Sequence, residues 1–127
     1  MYGNVLKKNQ PVLESAKLNP ISKYGELKVF EENLLQRISN NSNNSLIISR
    51  IFNLTGPDEP KRMVGGSFVS QLIESNILKV GNLYPKRDFL DVRDAIFALN
   101  LIGDKGNDSD IYNISSGSSI SIENFLQ

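Results

Sequence analysis

The chain has 127 residues, enough for one ordinary domain with a buried core. Its 14 Lys and Arg residues balance its 14 Asp and Glu residues, so we predict neither nucleic acid nor a membrane as a partner. It has no histidine and no cysteine, which excludes histidine-based triads, histidine-rich zinc sites and disulfides, and we predict no metal site.

The first predicted element is an amphipathic helix over residues 22–38. Residues 1–20 show little periodicity and are predicted to be an extended loop. Ser22 suits the N-cap position of the helix. Apolar residues then recur at helical spacing, namely Leu27, Phe30, Leu34 and Ile38. The asparagine- and serine-rich run at 39–45 predicts a solvated loop.

A buried strand and a second helix are predicted next. Residues 46–52 form a short apolar run, as expected of a buried parallel strand, and residues 53–57 are predicted to be a turn. A helix over 62–75 is indicated by apolar residues at helical spacing, namely Val64, Phe68, Leu72 and Ile73. Gly65 and Gly66 each cost this helix about 1 kcal/mol against alanine, so we expect another segment to pass close by.

The last third of the chain predicts two more strands and two more helices. Residues 77–80 and 111–114 are short apolar runs, and we interpret both as strands. Between them Asp91 suits the N-cap of a third helix that ends at Gly103. A fourth helix begins near Ser121. The alternation of helices and strands predicts α/β architecture with at least part of a parallel sheet.

Two side chains of the first helix suit acid–base chemistry. Tyr24 and Lys28 are four residues apart, so they leave the same helix face. In general, an ammonium about 6 Å from a phenol lowers the phenol's pKa by about two units at an effective dielectric near 20. A phenol shifted in this way can exchange a proton with a hydroxyl or carbonyl. The same spacing is common on solvated helix faces, so the pair alone does not decide the function.

Four sequence blocks carry a resemblance to a known family. They are residues 11–28, residues 50–57 with the wording Arg-Ile-Phe-Asn-Leu-Thr-Gly-Pro, residues 80–94, and residues 111–122. In this order and spacing they resemble the extended short-chain dehydrogenase/reductase (NAD-dependent epimerase/dehydratase) family that acts on nucleotide sugars. Gly-Asn-Leu at 81–83 and Arg-Asp-Phe-Leu-Asp-Val-Arg-Asp at 87–94 are most similar to GDP-4-keto-6-deoxy-mannose reductases.

The resemblance implies roles for four residues. Tyr24 would protonate the sugar oxygen while hydride arrives from the nicotinamide, and Lys28 would hold the nicotinamide ribose, so both would contact NAD(P). Asn53 would contact the sugar nucleotide, and Arg87 would pair with its diphosphate, because a guanidinium fork suits phosphate oxygens. Without the resemblance, Asn53 would simply terminate a strand and Arg87 would pair with a nearby surface aspartate.

The resemblance also implies a fold and a division of the chain. The fold would be α/β, part of a Rossmann-type doubly wound parallel sheet with part of a small substrate-binding domain. Residues 1–56 would be the second half of the Rossmann-type domain and 57–86 part of the substrate domain. Residues 87–115 would return to the sheet, and 116–127 would begin the C-terminal substrate region.

The chain also departs from the family pattern. It lacks the glycine-rich turn that holds the NAD(P) pyrophosphate, and the family's serine/threonine hydroxyl and C-terminal portion fall outside it. We therefore expect a fragment of an NAD(P)-dependent nucleotide-sugar oxidoreductase that reduces a GDP-4-keto-6-deoxy-hexose and has no turnover alone. GDP-mannose 4,6-dehydration, nucleotide-sugar epimerisation and a non-catalytic binding or assembly module are the alternatives.

Partners and location follow from the same reading. A GDP-linked nucleotide sugar is the favoured ligand, and the protein partner would be a second copy or a separate Rossmann half. No apolar run approaches the roughly 20 residues of a membrane span, and residues 1–10 do not form a signal peptide. The absence of cysteine suits a reducing compartment, so we expect a cytoplasmic protein.

Overall fold

The computed structural model describes residues 1–5 and 10–127, so residues 6–9 of the predicted N-terminal loop lie outside the described part. Its helices are α1 (Lys23–Asn40), α2 (Val64–Glu74), α3 (Val92–Lys105) and α4 (Ile122–Phe125). Its strands are β1 (Ile48–Ile51), β2 (Asn53–Thr55), β3 (Lys86–Arg87), β4 (Phe89–Asp91), β5 (Ile111–Ile114) and β6 (Ile120–Ser121). No helix within the described residues is long and apolar enough to cross a membrane.

The chain divides into two compact units with different interiors. The first unit comprises residues 1–50 and 101–113, and the second comprises residues 51–100 and 114–127. In the described part of the first unit, the buried side chains are those of Glu32 and Arg50. The second unit holds the buried apolar side chains, which are Leu90, Ala95, Ile114 and Ile122. The four-part division predicted from the sequence stays a prediction.

Helix α1 begins where the sequence predicts and ends two residues later than predicted. Ser22 has an extended backbone, and its Oγ accepts a hydrogen bond from the Gly25 amide at 3.1 Å, which confirms the N-cap. At the other end, the Asn41 side chain donates to the Arg37 carbonyl at 2.9 Å. The first two residues of the predicted polar loop therefore belong to the helix, because asparagine side chains can satisfy its last carbonyls.

The predicted strand over 46–52 is shorter in the structure and pairs in parallel with β5. The Ile48 amide donates to the Asp110 carbonyl, and the Phe52 amide donates to the Ile114 carbonyl, each at 3.0 Å. From the first bond to the second, the donor and the acceptor each move four residues toward the C-terminus. The two strands therefore run in the same direction, as in a parallel pair. The β5 strand predicted at 111–114 is confirmed.

A second parallel pair joins β2 to β4, in the register Asn53↔Phe89 to Thr55↔Asp91. The predicted turn over 53–57 is therefore wrong for its first three residues, which form a strand. A third pair joins β3 to β6 in antiparallel register. The sequence analysis missed β3, β4 and β6 because strands of two or three residues are too short to show a period.

Two further predictions are wrong. Residues 77–80 form no strand, because the Ile77 amide bonds to Ser75 Oγ at 3.1 Å and the Lys79 amide bonds to Gln71 Oε1 of α2 at 2.8 Å. Gly103 does not end the third helix, which continues to Lys105. The amide of the next glycine, Gly106, still bonds to the Ile102 carbonyl at 2.7 Å.

The predicted close approach at the paired glycines of α2 is confirmed. A Cβ atom on Gly66 would lie 2.2 Å from the Glu59 carbonyl oxygen and 2.5 Å from the Pro60 carbonyl oxygen. A Cβ atom on Gly65 would lie 2.5 Å from Oε2 of the Glu59 carboxylate. The other oxygen of that carboxylate, Oε1, accepts a hydrogen bond from the Gly65 amide at 3.1 Å. The glycines lower helix propensity, but they let the 59–60 backbone pack directly on the helix.

Substitution by alanine should have opposite effects at Gly66 of α2 and at Gly103 of α3. Gly66→Ala should destabilise the chain by about 2 kcal/mol or more, because backbone carbonyls must move to admit the methyl group. Gly103→Ala is the matched control: outside its own helix backbone and its two chain neighbours, no heavy atom of the described residues lies within 4 Å of its Cβ position, so alanine should stabilise α3 by about 1 kcal/mol. Chemical denaturation of both variants measures the difference, and a neutral or stabilising Gly66→Ala would contradict the packing described.

Candidate functional site

The structure brings Tyr24 and Lys28 together on the first turns of α1. The Lys28 ammonium lies 5.8 Å from the centroid of the Tyr24 ring. Tyr24 is 71% exposed, so its ring is accessible to a ligand. This is the same-face arrangement that the four-residue spacing predicts, and it places a cation beside a phenol that can donate a proton.

Glu31 is a third member of this cluster that the sequence analysis missed. Its carboxylate accepts a hydrogen bond from the Lys28 ammonium at 2.7 Å. This hydrogen bond and the charge of Glu31 raise the pKa of Lys28. The i, i+3 spacing of Lys28 and Glu31 was a usable signal, since side chains three apart are neighbours on a helix. Lys28 is therefore held as a cation close to Tyr24.

Asn53 lies in the second unit, at the start of β2. Its Nδ2 donates to the Asp88 carbonyl at 2.9 Å, beside the register pair Asn53↔Phe89. The residue is exposed. Asn53 therefore begins a strand rather than terminating one, and its amide links β2 to the residue that precedes β4.

Arg87 lies on β3, also in the second unit, and its side chain is exposed. Its guanidinium donates to the carbonyl of Lys86 at 2.8 Å. Among the described residues no carboxylate lies within 4 Å of it, so the alternative pairing with a nearby aspartate is wrong. The Arg87 guanidinium can therefore receive an anion without breaking an ion pair.

Asp88, the residue after Arg87, has a structural role that the sequence analysis missed. The Asp88 carboxylate accepts backbone amides from Ser116 at 2.8 Å and from Gly117 at 3.0 Å. Gly117 has φ +78, a conformation in which glycine is favoured. Asp88 thus holds the serine-rich loop at 115–119 next to the strand that carries Arg87.

A cavity of about 290 Å³ in the second unit is lined by residues 81–83 and by three cationic side chains. These are Lys61, Arg62 and Lys79. Lys61 also pairs with the Glu74 carboxylate at 2.8 Å. The cavity includes the Gly-Asn-Leu wording singled out in the sequence, and its charge suits an anionic ligand.

A larger groove of about 910 Å³, also in the second unit, runs along α2. Its lining includes the apolar side chains Phe68, Leu72 and Phe125 and the polar Thr55. Neither Asn53 nor Arg87 lines it. Of the described residues, no group of three or more carboxylates could hold a metal ion.

Asp91 caps α3, as predicted. Its carboxylate accepts the Arg93 amide at 2.8 Å and the Arg93 guanidinium at 2.6 and 2.9 Å. The hydrogen bonds from Arg93 lower the pKa of Asp91 to about 2. Asp91 and Arg93 therefore stabilise the start of the helix, and the predicted N-cap at Asp91 is confirmed.

Asp91 predicts a pH dependence of stability. Its pKa is lower in the folded chain than its ordinary value, so its contribution is present above about pH 4 and is lost as the pH falls toward 2. The stability gap between the wild type and Asp91→Asn should therefore shrink over this window. Urea denaturation at pH 5, 4, 3 and 2 measures the gap. In an Arg93→Gln background the dependence should weaken, and an equal gap at every pH would contradict the assignment.

The whole chain, residues 1–127, matches the sequence model of a family described as GDP-mannose 4,6 dehydratase. It is similar to GDP-6-deoxy-D-mannose reductase of Pseudomonas aeruginosa, with 27% identity over all of this chain and 44% of the relative. It is also similar to dTDP-4-dehydro-6-deoxyglucose reductase of Escherichia coli, with 29% identity over all of this chain and 40% of the relative. The chain thus spans less than half the length of these curated relatives.

Solved structures show the same likeness. RMD from Pseudomonas aeruginosa, complexed with NADPH, matches 98% of this chain and 45% of its own with a TM-score of 0.91 and 27% identity. UDP-glucuronic acid 4-epimerase from Bacillus cereus, in complex with NAD, matches 96% of this chain and 40% of its own with a TM-score of 0.86 and 26% identity. The predicted α/β class, with part of a Rossmann-type sheet, is confirmed.

Proposed function

Because the chain belongs to the GDP-mannose 4,6 dehydratase family, we propose that it forms part of an NAD(P)-dependent oxidoreductase that reduces a nucleotide-linked 4-keto-6-deoxy-hexose. The observation that carries the proposal is the Tyr24–Lys28 pair, with 5.8 Å between ammonium and ring centroid. It lies in a chain that matches an NADPH-bound structure over 98% of its length. The similarity to GDP-6-deoxy-D-mannose reductase favours reduction over dehydration and epimerisation.

In this proposal Tyr24 is the acid and Lys28 assists it. The Tyr24 hydroxyl donates its proton to the C4 carbonyl oxygen of the sugar, so that the ketone becomes a hydroxyl. Bound NAD(P)H would supply the hydride to C4. The Lys28 ammonium stabilises the phenolate left on Tyr24, and it would hold the cofactor at its nicotinamide ribose. The Tyr24–Lys28 pair suits the nicotinamide end of NAD(P), because its cation and its phenol share one accessible helix face.

The nucleotide of the substrate is proposed to bind in the second unit. Arg87 is exposed and has no ion-pair partner among the described carboxylates, which suits a diphosphate. The cavity at residues 81–83 adds three cationic side chains, and Asn53 contributes an exposed amide. We propose GDP as the nucleotide and the cytoplasm as the location, since a cysteine-free chain suits reducing conditions.

Exchange of segments tests the catalytic proposal. Residues 1–127 would replace the matching 44% of the Pseudomonas aeruginosa reductase, and NADPH oxidation would be followed with a GDP-4-keto-6-deoxy sugar. The chimaera should turn over, and Tyr24→Phe should lower kcat by about 100-fold or more, because general acid catalysis contributes on that scale.

Tyr112→Phe is the matched control for this experiment. Tyr112 lies on β5, where its hydroxyl bonds to Asp110 at 3.1 Å, and its loss should leave kcat unchanged. Full activity of the Tyr24→Phe chimaera would contradict the assignment of the acid. Conversion of GDP-mannose instead of the keto sugar would favour the 4,6-dehydratase alternative.

We further propose that a second copy of the chain covers the exposed apolar side of α1. Five large apolar side chains on this helix are between 44% and 61% exposed: Leu27, Phe30, Leu34, Leu35 and Ile38. Contiguous apolar surface of this kind marks interaction sites, and symmetric dimers are the commonest assembly of soluble proteins. In a symmetric dimer, the apolar side of α1 in one copy would pack against the same apolar side in the other copy.

Solution mass measures this assembly. Light scattering after size exclusion should give a dimer for the wild type at micromolar concentration and a monomer for Phe30→Glu, because burying a charge opposes association. Phe97→Glu is the control, since Phe97 is 70% exposed on α3 rather than on α1. A monomeric wild type, or a dimer unaffected by Phe30→Glu, would contradict the proposal and leave a separate partner chain as the occupant.

A further inference from the structure

Arg50 on β1 binds three separate segments of the first unit. Its guanidinium donates to both carboxylate oxygens of Glu32 on α1, through Nε at 3.0 Å and through Nη2. Its Nη1 donates to the Tyr2 hydroxyl at 2.7 Å and to the Glu14 carbonyl at 2.8 Å. Arg50 and Glu32 are 7% and 6% exposed, so these bonds form away from bulk water.

Tyr2 connects Arg50 to Asn113 on β5, and Asn113 is bonded in turn to residues 12 and 14. Its hydroxyl accepts from Arg50 and donates to Asn113 Oδ1 at 2.7 Å, while the Arg50 guanidinium lies 5.2 Å from the ring centroid. Asn113 in turn donates its amide to the Glu14 carboxylate at 2.8 Å and its Nδ2 to the Val12 carbonyl at 2.9 Å. The orientation of Tyr2 is therefore fixed by a donor on one side and an acceptor on the other.

The residue before Tyr2 packs against the first turn of α1. The Met1 carbonyl accepts the Asn19 amide at 3.1 Å. Gly25 is buried, and a Cβ on it would lie 3.1 Å from Pro20 Cβ and 3.7 Å from the Met1 nitrogen. Gly25 directly follows Tyr24, so the packing of Met1 bears on the turn that presents the phenol.

We propose that Arg50 is a positioning residue for the Tyr24–Lys28 pair. It holds the middle of α1 through Glu32. It bears on the first turn of α1 through Tyr2 and the adjacent Met1, whose nitrogen lies 3.7 Å from a Cβ placed on Gly25. A guanidinium suits this task because its planar fork makes several directed bonds at once, which a lysine ammonium cannot reproduce. The catalytic meaning of this positioning rests on the roles proposed above for Tyr24 and Lys28.

Amide hydrogen exchange of the 127-residue chain, followed by NMR, tests this positioning without substrate. Tyr2→Phe keeps the ring but removes the hydroxyl between Arg50 and Asn113. The amides of residues 27–30 should then exchange roughly ten-fold faster, while those of α2 in the second unit change less than about two-fold, because local opening is independent of global unfolding. Tyr112→Phe, which removes a hydroxyl from the same unit but outside this network, should leave residues 27–30 unchanged.

Arg50→Lys tests the second arm of the proposal. Lysine keeps the positive charge but lacks the planar guanidinium that bonds Glu32 and Tyr2 together. Amide hydrogen exchange should therefore be roughly ten-fold faster at residues 27–30 and also at residues 33–36, which follow Glu32 on α1. Equal acceleration in both units would indicate a purely structural role and overturn the proposal, as would unchanged exchange at 27–30 in Tyr2→Phe. If Arg50→Lys does not fold, Tyr2→Phe alone decides. An inactive chimaera would overturn the proposed function and leave this result standing.

Discussion

The buried pair of Arg50 and Glu32 is the constraint on which the first unit depends. Two charges removed from water cost several kcal/mol each unless every donor and acceptor is matched. The match is complete: no buried side-chain nitrogen or oxygen in the described residues lacks a hydrogen-bond partner. The hydrogen bonds that Arg50 donates to the Glu32 carboxylate raise the pKa of Arg50, so the guanidinium stays charged at any physiological pH. Directed bonds rather than apolar packing therefore set where α1 lies against β1.

The second unit is organised differently. Its buried side chains are apolar, and the parallel pair of β2 and β4 runs beside them. Here acidic side chains hold loops and helix ends, as Asp88 does for the 115–119 loop and Asp91 for α3. Asn53 and Arg87 lie on strands of this unit, so backbone pairing fixes their main chain while their side chains stay exposed. That combination suits residues proposed to meet a ligand.

The sequence alone determined the features that depend on neighbours within one or two helical turns. The Ser22 cap, the Asp91 cap and the common face of Tyr24 and Lys28 follow from local geometry, and the structure has all three. The glycine pair of α2 predicted a close approach, because two adjacent glycines weaken a helix and their lack of side chains lets another segment pack against it. The family resemblance supplied the roles proposed for the site residues, which spacing could not provide.

Tertiary structure decided what depends on partners distant in sequence. Residues 77–80 have the composition of a strand, but Gln71 of α2 takes the Lys79 amide, so no ladder forms there. The strand at Lys86–Arg87 exists only because β6 pairs with it, more than 30 residues later. In the sequence, Arg50 is one of two polar residues in an apolar run, and its partners lie 18, 36 and 48 residues away. Periodicity reports which face of an element is apolar, but only the folded chain specifies which groups meet a buried charge.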